Sequence, residues 1–200
     1  MSQTDPLLLK LVQGKRFQKV FRWGSDTKVY KPISAMPQVT PVRLTVPAHG
    51  MPDGWPFRVT GVQSPGQIND RWYKAKVIDV NTVEINVLNA AGLPAFVAGA
   101  ASIEYFQPVD LSGITGGIVV LKENAADSAS LLDISQANGR LILDNAAKTI
   151  TFDVPGDVLA AMTKFAGVWD WEMTSGGQIV DPRGELEQLP SWRMVREAAT

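Results

Sequence analysis

Cysteine is absent from the 200 residues, and histidine occurs once, as His49. The first absence removes disulfides, thiolate nucleophiles and cysteine zinc sites together. The second leaves no paired-histidine spacing from which to build a metal centre. An excess of one charge is lacking too. Nineteen basic side chains stand against 20 acidic ones, for a formal net charge of −1. No basic stripe runs along the chain to follow a phosphate backbone, so no nucleic-acid partner is expected. No apolar run reaches the length that spans a bilayer. The N-terminal patch of Leu7, Leu8, Leu9, Leu11 and Val12 is broken by Lys10 and lacks a basic leader and a cleavage motif. It reads as part of a soluble, non-exported chain with no membrane insertion.

What the chain does have is punctuation. Seventeen glycines and 13 prolines are scattered singly between short apolar runs, the pattern of many short strands joined by turns. "RFQKVFRW" sets Phe17, then Val20 and Phe21, then Trp23 against charged neighbours, with one break in phase. "PVRLTVPA" alternates Val42, Leu44 and Val46; "PFRVTGV" alternates Phe57 and Val59, then shifts at Gly61. "WYKAKVIDV" places Tyr73, Ala75 and Val77 on one face, and "TVEINVL" does the same with Val83, Ile85 and Val87. Further strands follow Tyr105. "NAAK" before Thr149 and "SGGQ" before Ile179 are hairpin turns by composition. One stretch favours helix, Pro155 to Phe165, with Asp157 as cap and Val158, Ala161, Met162 and Phe165 at helical spacing. "DPRGE" (Asp181 to Glu185) reads as a tight turn, and the C-terminal "PSWRMVREAAT" as a further frayed turn. The expected class is all-β.

The chain also has a seam. "VYKPISAMPQVTPVRL" and "IEYFQPVDLSG" both pass from an aromatic into a proline-led segment, and the residues between them hold a self-contained run of four or five strands. The expected organisation is a discontinuous β-sandwich host, residues 1–30 and 107–200, carrying an inserted small β-barrel at 31–106. Insertion is tolerated where the two ends of the insert lie close together.

The lone histidine lies in "VPAHGMPDGWPF", where Pro47, Gly50, Pro52, Gly54 and Pro56 crowd together. No continuous strand holds that spacing, because each proline lacks a ladder donor. "PDG" is a turn: proline presets φ, aspartate caps, and glycine takes the left-handed position. Asp53 and Asp70 are the nearest acids, and neither stands in a motif relation to His49. The histidine is therefore expected to be a loop residue bonded to nearby backbone, and no metal or cofactor is expected.

Taken in order, Ala48-His49-Gly50, Asp53-Gly54, Val59 to Val62, Gln67 to Asp70, Asn81 to Ile85 and a closing aromatic make a set. That set resembles the small β-barrel module of the first catalytic-cysteine half-domain of ubiquitin-activating enzymes, which recurs in tailed-bacteriophage virion proteins. The enzymes need a catalytic cysteine, which this chain lacks, so no enzymatic activity is expected. The flanking segments "GKRFQKVFRW", "PVDLSGITGGIVVL", "ITFDVPGDVLAAM" and "GVWDWEMTSGGQIVDPRGELEQLP" are similar to the N-terminal immunoglobulin-like domain of phage baseplate and tail proteins. The resemblance implies a virion structural protein of the tail, baseplate or tail-fibre attachment region. Its partners would be other virion proteins in a symmetric homo-oligomer. A capsid decoration or neck protein is the neighbouring alternative, and a carbohydrate- or receptor-binding module, reading a host surface glycan, is the alternative of another class.

Candidate contact residues follow from these readings. Trp55 and Trp72 lie in or beside loops and would either touch a partner or glycan or cap the inserted core. Leu7, Leu8, Leu9 and Leu11 would either pack on a neighbouring subunit or close the sandwich. "VWDWEMTS" sets Trp169 and Trp171 on one strand face and Asp170 and Glu172 on the other. Paired carboxylates suit glycoside hydrolysis, but neighbours at i and i+2 on an outer face read as a solvated surface. Gly113, Gly116 and Gly117 lack the lysine and helix of a phosphate loop and read as a turn with close backbone approach.

Overall fold

In the computed structural model, which describes residues 9–163, 166–180 and 191–195, the chain is all-β. It divides into two compact units. One holds the described residues up to Phe21, then Asp110–Asn145 and the described residues from Thr149 onward. The other is Arg22–Val109 together with Ala146–Lys148.

Strands β1 (Leu9–Val12) and β2 (Phe17–Arg22) come first among the described residues. Eight strands of the second unit follow: β3 (Gly24–Pro32), β4 (Ala35–Val39), β5 (Val42–Thr45), β6 (Pro56–Thr60), β7 (Trp72–Lys74), β8 (Lys76–Asp79), β9 (Thr82–Ile85) and β10 (Ser102–Pro108). The chain then returns with β11 (Ile114–Lys122), β12 (Leu132–Ser135), β13 (Leu141–Asp144) and β14 (Thr149–Val154). One short helix, α1 (Gly156–Ala160), precedes β15 (Ala166–Ser175), β16 (Gln178–Val180) and β17 (Ser191–Val195).

The first unit is a two-sheet sandwich. Its larger sheet runs β1-β17-β15-β11-β12 with β16 added on β15, and its smaller one runs β13-β14-β2. The side chains that alternate inward along β15 and β11, Trp169, Trp171, Met173, Val119 and Leu121, are buried, as are Ile150, Phe152 and Val154 of β14. Phe152 meets Trp171 edge-on with ring centroids 4.9 Å apart, and Phe21 lies 4.6 Å from Phe152. Each fully buried side chain of this size contributes about 1.5–3 kcal/mol, and the aromatic geometry adds about 0.5–1.5 kcal/mol per pair. Asp170 and Glu172 do point to the opposite face from Trp169 and Trp171.

Two hairpins stand where their composition puts them. Gly176 and Gly177 of "SGGQ" both take positive φ, 55° and 78°, as the favoured two-residue turn requires. Gly117 is instead a close-approach position within β11, because a Cβ there would meet the Met173 Sδ at 2.6 Å. The helix is shorter than the periodicity predicts. Its N-cap is Pro155 with no side-chain cap, Asp157 sits in the first turn, and Leu159 and Met162 are buried while Ala161 is exposed. Phe165 and the "DPRGE" turn lie outside the described residues. The expected frayed C-terminal turn is a correction: residues 191–195 form β17, which pairs parallel with β1 and antiparallel with β15. Such a pairing between distant segments leaves no local signal in composition.

The second unit is built from two four-stranded sheets, β3-β10-β6-β7 and β4-β5-β9-β8, and no sheet closes into a barrel among the described residues. One core joins them, with Phe57, Val59, Tyr73 and Ile103 from the first sheet and Val42, Leu44, Val83 and Ile85 from the second. The apolar alternation of "WYKAKVIDV" holds, but the chain changes sheets within it. Ala75 is the corner: its N–H donates to the Trp55 carbonyl and its own carbonyl accepts from Gly54. The unit starts at Arg22 rather than at residue 31, because β3 pairs with β10 from Pro32↔Ser102 to Gly24↔Pro108. The proline-led segment that reads as a joint is itself strand β4.

Candidate functional site

The histidine loop joins β5 to β6 in the second unit, and its geometry is closed. The Met51 amide donates to His49 Nδ1 at 3.0 Å. An amide nitrogen can only donate, so Nδ1 is the acceptor and the ring proton sits on Nε2, which donates to the Asp79 carbonyl at 2.8 Å. Tyr105 donates its hydroxyl to the His49 carbonyl. Burial pushes the Tyr105 phenol above its ordinary pKa. His49 is 2% exposed, and both ring nitrogens are occupied, so no lone pair faces outward.

The acids near it in sequence serve elsewhere. Asp53 accepts from the Val77 amide, and Asp70 pairs with Arg58. Among the described residues no group of three His, Cys, Asp or Glu side chains is placed to hold a metal ion.

The other elements of the ordered motif do the same kind of backbone work. Ala48, Gly50 and Gly54 take φ of 47°, 69° and 72°, and Asn81 Oδ1 accepts from the Ala48 amide at 2.9 Å. The Asn69 amide bridges both backbone groups of Val62, at 3.0 and 2.8 Å. Gly61 has φ 69°, and a Cβ there would lie 2.5 Å from the Ala100 carbonyl oxygen. The motif specifies turns.

Each sheet of the second unit carries a carboxylate clamped by two cations. Glu84 on β9 accepts from Arg43 on β5 at 2.7 Å and from Lys76 on β8 at 2.9 Å. Those hydrogen bonds, Lys76 first and then Arg43, hold its carboxyl below the ordinary carboxylate range. Glu104 on β10 lies 3.4 Å from Arg58 on β6 and 3.7 Å from Lys28 on β3.

The second of these clamps lies on an exposed aromatic face. Along β3, β10, β6 and β7 the register sets Tyr30 opposite Glu104, Glu104 opposite Arg58, and Arg58 opposite Trp72. Two residues along, Phe106 pairs with Lys28. Tyr30 is 59% exposed, Trp72 53% and Phe106 38%. The rings of Trp72 and Phe106 are parallel to within 5°, with centroids 6.5 Å apart, and the Lys28 ammonium stands 5.7 Å from the Phe106 centroid. Three large aromatics on one solvated sheet face depart from the polar-out pattern that a half-buried sheet shows.

Of the two tryptophans singled out in the sequence, only Trp72 is available for contact. Trp55 is 1% exposed and donates its indole N–H to the Phe106 carbonyl at 2.9 Å, so it belongs to the core. Leu9 and Leu11 are not a free surface either. Both are buried, because β1 pairs with β17 and turns them into the core of the first unit. Leu7 and Leu8 lie outside the described residues. Tyr30 and Phe106 carry no motif signal, but one physical cue exists for Phe106. Adjacent aromatics in "IEYFQ" on a strand must face opposite sides, so burying Tyr105 forces Phe106 outward.

No protein-family model matches this sequence, and no curated protein matches it either.

Proposed function

We propose that this chain is a non-enzymatic structural component of a tailed-bacteriophage virion. It would work at the tail, baseplate or tail-fibre attachment region through repeated protein–protein contacts. The observation that carries the reading is how an ordered module is held within another chain segment. The resemblance to a virion-associated module rests on residues that build turns, and these lie between two strands, β2 and β11, of a separate sandwich. The ends of the insert are bonded to each other, Gly24 opposite Pro108 and the Val109 amide donating to the Trp23 carbonyl at 2.9 Å. That geometry lets a host sandwich accept a folded module without opening its own sheets.

Particles purified from a host that makes the protein, probed with an antibody against the second unit, test the placement. Label at the tail end supports the reading, and label on the head moves the protein to a decoration or neck role. Absence from intact particles overturns it. Light scattering on the purified protein adds the assembly state: closed homo-oligomers accord with a repeated ring contact, whereas a monomer at all concentrations counts against self-assembly.

A further inference from the structure

We propose that the outer face of the β3-β10-β6-β7 sheet is a binding site for a neutral polysaccharide, with Trp72 and Phe106 as its stacking platform. The proposal rests on the virion reading for the source of the ligand, a cell surface, and on geometry for its chemistry. Exposed aromatic area is the starting observation. Tyr73, Phe57 and Tyr105 are buried inward and Val29 of β3 packs against the same core. This uses the hydrophobic side of each strand, so nothing in the fold of this unit requires Tyr30, Trp72 and Phe106 on the other side. Trp72 and Phe106 come from strands separated by β6, yet their rings lie parallel within 5°. Two parallel, solvent-exposed aromatic rings with centroids 6.5 Å apart offer flat apolar surface against which the C–H faces of sugar rings can pack.

The charge on this face selects among ligands. Lys28, Arg58 and Lys74 lie on the same side as Glu104 and Asp70, and the pairs are already made: Lys28 and Arg58 with Glu104, and Arg58 with Asp70. A single-stranded nucleic acid needs aromatics set in a cationic groove that tracks its phosphates, and here carboxylates interrupt the cations. An apolar protein patch would bring these ion pairs into the centre of an interface, where charged groups are depleted. A neutral glycan meets neither obstacle. Its hydroxyls both donate and accept, so they suit cations and carboxylates side by side at the ring edges. Asp70, two residues before Trp72 and with its side chain 69% exposed, supplies an accessible acceptor.

Affinity electrophoresis of the purified full chain through gels containing dextran, starch, yeast mannan or a bacterial galactan tests this directly. The expected result is retardation in at least one of the four. W72A should weaken it at least tenfold and F106A by a similar factor, W72F should retain most of it, and V87A, at an exposed site off this face, should leave it unchanged. Circular dichroism confirms that each variant is folded. No retardation in any of the four gels overturns the proposal, as does retardation that survives W72A. Binding to a dT oligonucleotide that W72A abolishes would replace the glycan with a nucleic acid and also overturn it. A failure here leaves tail labelling of particles untouched, and a failure of labelling leaves gel retardation untouched, so the two readings fail separately.

Discussion

Tyr105 donates its hydroxyl to the carbonyl oxygen of His49, 56 residues earlier in the chain. Both residues are buried, and the bond ties the histidine loop to the strand that closes the second unit. Tyr105→Phe removes the donor and leaves a buried carbonyl without it. The expected loss is about 1–3 kcal/mol, the cost of an unsatisfied buried polar group. Chemical denaturation of the variant measures it. Combining Y105F with H49A should cost less than the sum of the two, because both dismantle one loop. Strict additivity would show that the loop is held by other contacts.

Gly61 is the position of the motif least able to accept a side chain. Its φ is positive, and a Cβ would press on backbone, the Ala100 carbonyl oxygen at 2.5 Å, rather than on a side chain that can rotate away. Gly61→Ala should destabilise by roughly 1–3 kcal/mol through strain at a left-handed residue, with the clash adding to it. Gly92→Ala provides the control, since a Cβ there would meet no neighbouring atom within 4 Å. Thermal melts of the two variants should differ clearly. Equal melting temperatures would refute the strain argument.

These two sites show what the sequence makes legible. Proline, glycine and asparagine act locally, so "AHG", "PDG", "VTGV" and "SGGQ" announce their turns before any fold is known. Alternating residues such as Val42 and Leu44, or Trp169 and Trp171, announce a buried face in the same way. What stays hidden is non-local. Nothing near "SWRMV" indicates that it will pair with Leu9–Val12, and nothing near Ala75 says that the chain changes sheets there. The candidate surface is hidden for the same reason. Trp55 and Trp72 look alike as loop tryptophans, and only the folded chain places one in the core and, through the β6–β7 register, the other on the solvated face. Tyr30 and Phe106 join Trp72 only once β3, β10, β6 and β7 lie side by side.

The clamped carboxylates predict an acid limb in stability. Hydrogen bonds from Lys76 and then Arg43 lower the Glu84 pKa, and the Arg16 guanidinium lowers that of Asp153 in the other unit. A group whose folded pKa is depressed contributes stability that is fully present above its unfolded value. That contribution is lost as pH falls through the folded value. Their contribution to the melting temperature should therefore be present in full and constant between about pH 7 and 5, and should fall away below about pH 4, where unfolded carboxyls take up protons. Glu84→Gln should lower the melting temperature at neutral pH and make the acid limb shallower. An unchanged limb in E84Q would show that the clamp does not contribute to it. High salt should narrow the difference between the two proteins, since both cations reach solvent.

Apart from Ala146–Lys148, the second unit is one stretch of chain, Arg22–Val109, with its own core. Its core is one continuous cluster fed by both four-stranded sheets, and the strands that bring the chain in and take it out, β3 and β10, pair with each other over most of their length. Cutting the chain before Arg22 and after Val109 severs no strand pairing of either four-stranded sheet, because all eight strands lie within those bounds. The segment 22–109 expressed alone should therefore melt cooperatively and give a dispersed amide spectrum by NMR. Val109 must be kept, since its amide is bonded to the Trp23 carbonyl at the point where the ends meet. A shorter segment, 31–106, removes most of β3 and exposes the paired edge of β10, so it should be less stable and prone to associate through that edge. If 31–106 proved as stable as 22–109, β3 would be an accessory strand, and the unit boundary would belong at the seam seen in the sequence.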